Sequence, residues 1–409
     1  MTFRITCLLF LVRKCMTTLS LLLFTSVSVQ ASDALSVFGL AKDRWYVQDV
    51  VEDKDADRLE WNYATYLDLG YTLNFNQPGN GLWRSKATTF EVNDPQVNMA
   101  MGYIQKNATP QSRWGMEFGL QAGVDTKSLV PGTPPDFNEP ISNADSLRHL
   151  YRANGTCLFP VGKGLEVTAG LINSYIGYES YFAIQNPNYT RGYLLDFVPY
   201  FLFGAKGTYP LSNTLDLSLF VSSGWNYLAH PNNAPSYGLQ TVWQLTPNIT
   251  FTQNLYYGPD QDKTSIRFWR FFSDSILEWK SDRFLLAAAF DVGTEKQVGV
   301  TGNPRYNWMA GAVWAGWHIS GPWSLAVRPE IYWDPDGIGT GAKQRITAVT
   351  TTLEYTFSPF SSNTIVAALE YRYDRSTGSE GGFYKGDDNR LVPEQHQLLF
   401  SIMWTFGSD

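Results

Sequence analysis

The amino-acid sequence predicts an all-β protein, a transmembrane antiparallel up-and-down β-barrel of about 16 strands. Three observations lead to this fold class. The chain begins with an export signal, no later stretch has the apolar length of a spanning helix, and most segments alternate between apolar and polar residues. A period of two is typical of strands whose two faces meet different solvents. Aromatic residues make up 15% of the chain and charged residues only 17%, as suits strands with one face in lipid.

Residues 1–31 have the pattern of a cleaved signal peptide. Three basic residues precede or flank an apolar stretch at 16–29, and Ala31 completes a small-x-small cleavage site. Removing this segment takes away three basic and no acidic residues, so the formal net charge changes from −7 to −10. Such acidity argues against nucleic acid as a partner. Cys157 is then the one cysteine left, which excludes an internal disulfide framework.

The remaining chain divides into three parts. Residues 32–61 lack alternation and carry a charge run at 49–57, so we expect a periplasmic segment or a short plug there. Residues 62–406 form the predicted outer-membrane barrel, and residues 407–409 are a C-terminal tail.

The alternating segments predict sixteen strands, most of them long enough for a tilted membrane strand. They cover residues 62–75, 95–106, 112–125, 146–159, 164–175, 195–209, 214–225, 236–246, 248–258, 266–280, 283–293, 307–319, 323–333, 344–357, 363–374 and 395–406. Connections from even to odd strands are short, whereas those from odd to even strands are mostly long. The long ones span residues 76–94, 126–145, 176–194, 226–235, 294–306, 334–343 and 375–394. Bacterial barrels have short periplasmic turns and long external loops, with both termini in the periplasm.

The parity of charged residues predicts which side chains face the lumen. In the strand at 323–333, Arg328 and Glu330 lie on one side while Ile331 and Trp333 lie on the other. A basic residue facing hydrocarbon at the bilayer midplane costs roughly 2–4 kcal/mol, so charged rows should face water. The same parity selects the pore-lining candidates Arg113, Glu117, Arg148, Arg152, Lys206, Arg270, Asp274, Glu278, Arg328, Glu330, Glu370, Arg372 and Asp374. The strands at 248–258 and 307–319 are apolar on both faces, which leaves their orientation open.

The last strand indicates two partners of the barrel. Phe400, Ile402, Trp404 and Phe406 alternate along it. A terminal aromatic strand of this kind is similar to the segments that bacterial barrel-assembly machinery recognises. We therefore expect that machinery as a partner during biogenesis and outer-membrane lipid as a partner afterwards. The sequence leaves open whether the barrel forms a homo-oligomer.

Several motifs together resemble a known family. They are Ile-Gly-Tyr-Glu-Ser at 176–180, Asn-Pro-Asn-Tyr-Thr-Arg-Gly at 186–192, Gly-Trp-Asn at 224–226, Tyr-Gly-Pro at 257–259, Asp-Pro-Asp-Gly at 334–337, the strand before that turn, and Leu-Glu-Tyr-Arg-Tyr-Asp-Arg-Ser at 369–376. In order and spacing the chain resembles the OmpL-like β-barrel porins (β-barrel porin family two) over roughly residues 63 to 406. Thr190 departs from the family, which more usually has Ser. The resemblance implies a Gram-negative outer-membrane barrel and a diffusion channel.

The motifs of an enzyme are missing from the sequence. It contains neither a Gly-x-Ser-x-Gly nucleophile elbow nor a His-Glu-x-x-His zinc site, and its four histidines are scattered. The Asp-Pro-Asp-Gly at 334–337 lacks the later ligands of a calcium loop, so we interpret it as a turn. We expect no enzyme activity, no catalytic residue, no metal and no cofactor.

The resulting hypothesis is an outer-membrane porin, a water-filled channel for passive diffusion of small hydrophilic solutes or ions. Sixteen strands are wide enough to leave an aqueous lumen unless a loop fills it. The net acidity weakly favours cations, and the sequence does not single out the loop that constricts the pore. The alternative is a structural or adhesin-type barrel that binds partners through its external loops at 126–145 or 375–394.

Overall fold

The computed structural model describes residues 61–407 with four internal gaps. These gaps cover residues 129–147, 229–231, 262–263 and 360–362. The predicted signal peptide, almost all of the predicted N-terminal segment and residues 408–409 lie outside the described residues. Among the described residues, no helix combines the length and the apolar character that crossing a membrane requires.

Within the described residues, sixteen antiparallel strands form one closed barrel. Each barrel strand pairs with its sequence neighbours, and the first strand pairs with the last. The strands are β1 (Trp61–Asn74), β2 (Pro95–Lys106), β3 (Trp114–Ala122), β4 (Leu150–Phe159), β5 (Leu165–Asn173), β6 (Phe201–Pro210), β7 (Leu215–Ser222), β8 (Ser236–Thr246), β9 (Ile249–Pro259), β10 (Trp269–Lys280), β11 (Phe284–Lys296), β12 (Arg305–Ser320), β13 (Trp323–Asp334), β14 (Gln344–Phe357), β15 (Asn363–Thr377) and β18 (Glu394–Gly407). Two short strands, β16 (Phe383–Lys385) and β17 (Arg390–Val392), pair as a hairpin in the last external loop.

The sixteen predicted strands are confirmed, with corrections to their ends. The strand predicted at 195–209 begins only at Phe201, because residues 193–196 form a short helix, α1 (Tyr193–Asp196). Alternation fails there since nearly every side chain around α1 is buried. The strand predicted at 112–125 covers only Trp114–Ala122. Gly123 follows at φ 122°, a left-handed conformation that breaks the strand.

The strand predicted at 146–159 begins later than expected. β4 starts at Leu150, so the candidate Arg148 precedes the strand. Residues 148–149 belong to a helical turn beside a part of the chain that the structure does not describe. Arg113 likewise precedes β3.

The two faces of the wall differ as a membrane barrel requires. On β13, Arg328 and Glu330 are buried inside, whereas Ile331 and Trp333 are exposed on the outer surface. The structure also shows which face of β9 and which face of β12 points inward, an orientation that the sequence left open. Tyr256 of β9 and Trp308 and Trp314 of β12 are buried inside, and Tyr257 and Val313 are exposed outside.

Among the described loops, the external connection at residues 174–200 folds into the barrel. We call it the inner loop. Ile184, Tyr189 and Tyr193 of this loop are at most 1% exposed. Its helix α1 contacts β12 and β13. Small inward-facing residues leave room for it on this side of the barrel, namely Ala287, Ala289, Ala310, Ala312 and Ala348.

Candidate functional site: the barrel interior

An ion pair attaches the first part of the inner loop to the wall. Glu179 of the loop accepts a hydrogen bond from the Arg328 guanidinium at 2.5 Å and one from the Trp314 indole at 3.0 Å. Both charged side chains are fully buried. Arg328 also donates to the Thr190 carbonyl at 2.6 Å, so one wall arginine holds two separate points of the loop. Removing one partner of such a buried pair typically costs about 3–5 kcal/mol.

A second set of contacts attaches the start of α1. Glu330 accepts the Tyr193 backbone N–H at 2.6 Å and pairs with Arg372 at 2.9 Å. Gly192, just before the helix, allows this close approach. A Cβ at Gly192 would lie 2.8 Å from a Glu330 carboxylate oxygen and 3.1 Å from one of Glu179. The glycine of the 186–192 motif is therefore explained by packing against the wall.

A third set involves Glu370 of β15. Its carboxylate accepts the backbone N–H groups of Tyr189 at 2.8 Å and Thr190 at 3.1 Å, as well as the Thr190 hydroxyl. Thr352 of β14 donates to the same carboxylate at 2.6 Å. The hydroxyl at position 190 is the group that the family's more usual Ser also supplies, so the departure at Thr190 keeps the hydrogen bond.

Two ion pairs join the inner loop to the first two external loops. Lys86 pairs with Asp196, and Arg191 pairs with Asp125. Burial raises the pKa of Asp125, and the Arg191 guanidinium opposes that rise. Burial likewise lowers the pKa of Lys86, and Asp196 opposes it. In each pair, the opposite charge of the partner therefore favours the ionised form of a side chain that is buried away from water.

The other side of the interior contains a cavity of about 820 Å³. Its walls combine barrel residues with the other face of the inner loop. The barrel contributes Glu117, Arg152, Lys206, Ser218, Gln240 and Glu278, and the loop contributes Tyr175, Tyr178, Tyr181 and Pro187. Arg152 lies 3.9 Å from Glu117, and Glu278 accepts a hydrogen bond from the Tyr178 hydroxyl at 2.8 Å. We call the inward faces of β2–β10 the cavity wall and those of β12–β15 the bonded wall.

A family model described as "Putative beta-barrel porin-2, OmpL-like" matches residues 61–406. The chain belongs to this family. Together with the closed sixteen-stranded barrel, this membership makes the protein a porin-type barrel of the outer membrane. Comparison with curated protein sequences finds no match.

A solved structure shares the fold at low sequence identity, and others are similar. An outer-membrane protein of Vibrio cholerae, OmpT folded in vitro in a trimer form, aligns with a TM-score of 0.51 and 11% identity. The alignment covers 85% of this chain and 99% of that one. OmpF of Salmonella typhi, in complex with daunomycin, aligns with a TM-score of 0.49 and 10% identity, covering 85% and 97% of the two chains.

The thirteen candidates separate into three groups in this porin-family barrel. Six are at most 6% exposed and belong to the network around the inner loop: Asp274, Arg328, Glu330, Glu370, Arg372 and Asp374. Four line the cavity: Glu117, Arg152, Lys206 and Glu278. Three lie near strand ends: Arg113, Arg148 and Arg270. Their roles in selectivity stay predictions.

Arg270 links the fourth and fifth external loops at the rim. It pairs with Asp260 at 2.5 Å and with Glu295 at 3.1 Å, and its guanidinium lies 4.8 Å from the centre of the Trp225 ring. Asp260 also accepts the Trp225 backbone N–H at 2.8 Å. Burial raises the pKa of Asp260 to about 6, and Arg270 opposes this rise.

Strand parity missed the loop residues that complete the site, since it selects only wall positions. Glu179, Arg191 and Asp196 lie on the inner loop, and Lys86 lies on the first external loop. A signal for the inner loop was nevertheless present. The motifs at 176–180 and 186–192, which carry much of the family resemblance, are the segments that touch the wall.

Proposed function

We propose that this chain forms a diffusion channel for small hydrophilic solutes in the outer membrane, with the inner loop as its constriction. The observation that carries the proposal is the division of the lumen. The inner loop is attached to one wall by buried ion pairs and leaves a cavity of about 820 Å³ along the other. The cavity wall reaches the loop through hydrogen bonds at Asp274 and Glu278. A loop whose buried ion pairs lie toward one wall narrows a wide lumen without filling it.

The cavity wall contributes the charges that a passing solute meets. Arg152 lies beside Glu117, and Lys280 pairs with Glu278 at 3.0 Å. Lys206 lines the same cavity and has no ion-pair partner among the described residues. A positive side chain near a narrow path raises the local concentration of anions. We therefore propose a weak preference for anions, in place of the cation preference suggested by net charge.

The route to the membrane is part of the same proposal. Residues 1–31 direct export and are removed, and the aromatic strand β18 is recognised by the barrel-assembly machinery. Phe400, Ile402 and Trp404 of this strand are exposed on the outer face, which supports an interaction with the assembly machinery and later with lipid.

Planar-bilayer recording of the purified, refolded barrel tests the channel. We expect stepwise conductance and a reversal potential on the anion side in a salt gradient. Swelling of liposomes in a series of sugars of increasing size should then give the exclusion limit. If the protein migrates on gels as a folded, heat-modifiable barrel but never conducts, the proposal is wrong.

The same preparation separates the channel from an adhesin. Much of the loop at 126–145 lies outside the described residues, whereas the loop at 375–394 contains the β16–β17 hairpin and packs on the first external loop. Deleting residues 379–392 should leave conductance steps in place if the protein is a channel. Lost attachment to a surface partner with unchanged permeability would favour the adhesin instead.

A further inference from the structure

The outer surface of the barrel is uneven in charge near its extracellular end. On β1–β9 the described outward positions there are uncharged, for example Val97, Phe203, Val221, Tyr237 and Tyr257. The outward positions of β11, β12, β14 and β15 instead carry basic residues. These are Lys296, Arg305, Arg345 and Arg375. One sector of the lipid-facing surface is therefore basic.

Most of these basic residues have no acidic partner among the described residues. Arg375 is the exception, since it lies 3.7 Å from Glu394. Arg305 is opposite Lys296 in the sheet, and its guanidinium lies 3.3 Å from the centre of the Trp269 ring. Basic side chains at the level of the lipid head groups each gain about 1 kcal/mol from anionic lipid. This sector is suited to negatively charged head groups.

An apolar groove of about 280 Å³ lies beside Arg345 on the same sector. Gly311 of β12 forms its floor, between Phe290 and Ile331 on the neighbouring strands. Met309 and Trp333 continue the groove toward Arg345, which pairs with Trp333 across β13 and β14. A Cβ at Gly311 would meet no heavy atom closer than 3.6 Å, so the absent side chain is what leaves the space.

A second groove on the outer surface shows that an apolar depression alone is not distinctive. It lies on β1–β3 around Gly102, has about 350 Å³, and is bordered by Leu67, Leu120 and Trp404. None of the described residues that line it is charged. The Gly311 groove differs because the Arg345 guanidinium lies at one end of it. Two more basic residues, Lys296 and Arg305, lie further along the extracellular rim.

We propose that the Gly311 groove is a binding site for a lipid with a phosphate-bearing head group from the outer leaflet. One acyl chain occupies the groove over Gly311, and the phosphate accepts hydrogen bonds from the Arg345 guanidinium. Lys296 and Arg305 attract further negative charge of the same head group or of a neighbouring lipid. The nearby carboxylate of Asp336 is engaged by the Asn307 backbone N–H at 2.8 Å.

Native mass spectrometry of the full refolded barrel in detergent tests this site, with phosphatidic acid as the probe. Arg345→Ala should weaken phosphatidic acid binding about fivefold, as expected for the loss of one surface cation. Gly311→Leu fills the groove without changing charge and should weaken binding as well. Gly102→Leu fills the uncharged groove and is the matched control, with binding unchanged. Phosphatidylcholine of the same chain length should bind less than phosphatidic acid.

Three results would overturn the proposal. One is unchanged phosphatidic acid binding in Arg345→Ala, and another is an equal loss in Gly102→Leu and Gly311→Leu. The third is full competition by millimolar inorganic phosphate, which would mean that the chain groove contributes nothing. Heat-modifiable migration on gels verifies that each variant is folded, and Arg345→Gln replaces the alanine variant if that one does not refold.

Discussion

The bonded wall and the cavity wall carry similar inward-facing charges, yet these charges have different surroundings. On the bonded wall, Arg328, Glu330 and Arg372 have fully buried side chains that pair with each other and with the inner loop. On the cavity wall, Glu117 and Lys206 border open space. A charge inside a barrel therefore does not by itself mark the solute path. Its surroundings decide whether it holds a loop or faces water.

The largest effect should come from removing one charge of the bonded wall's central pair. In Glu179→Gln the Arg328 guanidinium stays buried and loses the nearer of its two carboxylate partners, so we expect a loss of about 3–5 kcal/mol in the free energy of unfolding. The loop should also detach part of the time, giving larger and noisier conductance steps. Urea unfolding in lipid vesicles and single-channel recording measure the two effects.

The matched control is Glu278→Gln on the cavity wall. Its carboxylate is partly exposed and borders the cavity, so neutralising it should change stability by less than about 1 kcal/mol. Equal losses of stability in both variants would mean that the two walls do not differ in the way described.

A smaller effect is expected from reversing the unpaired charge of the cavity. Lys206→Glu places a negative side chain at the same point, and we expect the anion-to-cation permeability ratio to fall about fivefold. Reversal potentials in a potassium chloride gradient measure this ratio. Lys385→Glu in the β16–β17 hairpin makes the same charge change outside the cavity, and it should shift the reversal potential far less. A larger shift in the hairpin variant would contradict the proposed path.

The smallest effect concerns the rim, where Asp260 joins two external loops. Its pKa is raised from 3.8 to about 6 by burial, so between these values the folded chain binds more protons than the unfolded chain. The contribution of Asp260 to stability therefore falls as pH rises from about 4 to 6. Asp260→Asn cannot titrate and should show a flatter dependence in this window. Unfolding midpoints in urea at pH 4 to 7 compare the two proteins, and identical pH profiles would exclude Asp260 as the cause.

The wall of the barrel could be predicted from the sequence because alternation is a local property. β2, β8 and β14 begin and end at the predicted residues. The inner loop could not, since its apolar residues around Tyr193 and Leu195 resemble a strand and become buried only inside the closed barrel. The ion pairs between the inner loop and the wall could not be predicted from the sequence either. Glu179 and Arg328 are 149 residues apart, and no periodicity connects them.

Thiol modification during single-channel recording tests the central claim most directly, namely that solutes pass along the cavity wall. In protein prepared without residues 1–31, Cys157 on the exposed face of β4 is first replaced by Ser, so that no other thiol reacts. A cysteine is then placed at Ser218, which lines the cavity, or at Thr350, which is fully buried on the bonded wall. A bulky charged thiol reagent should reduce the conductance of Ser218→Cys channels and leave Thr350→Cys channels unchanged. Block at Thr350 with no effect at Ser218 would contradict the account.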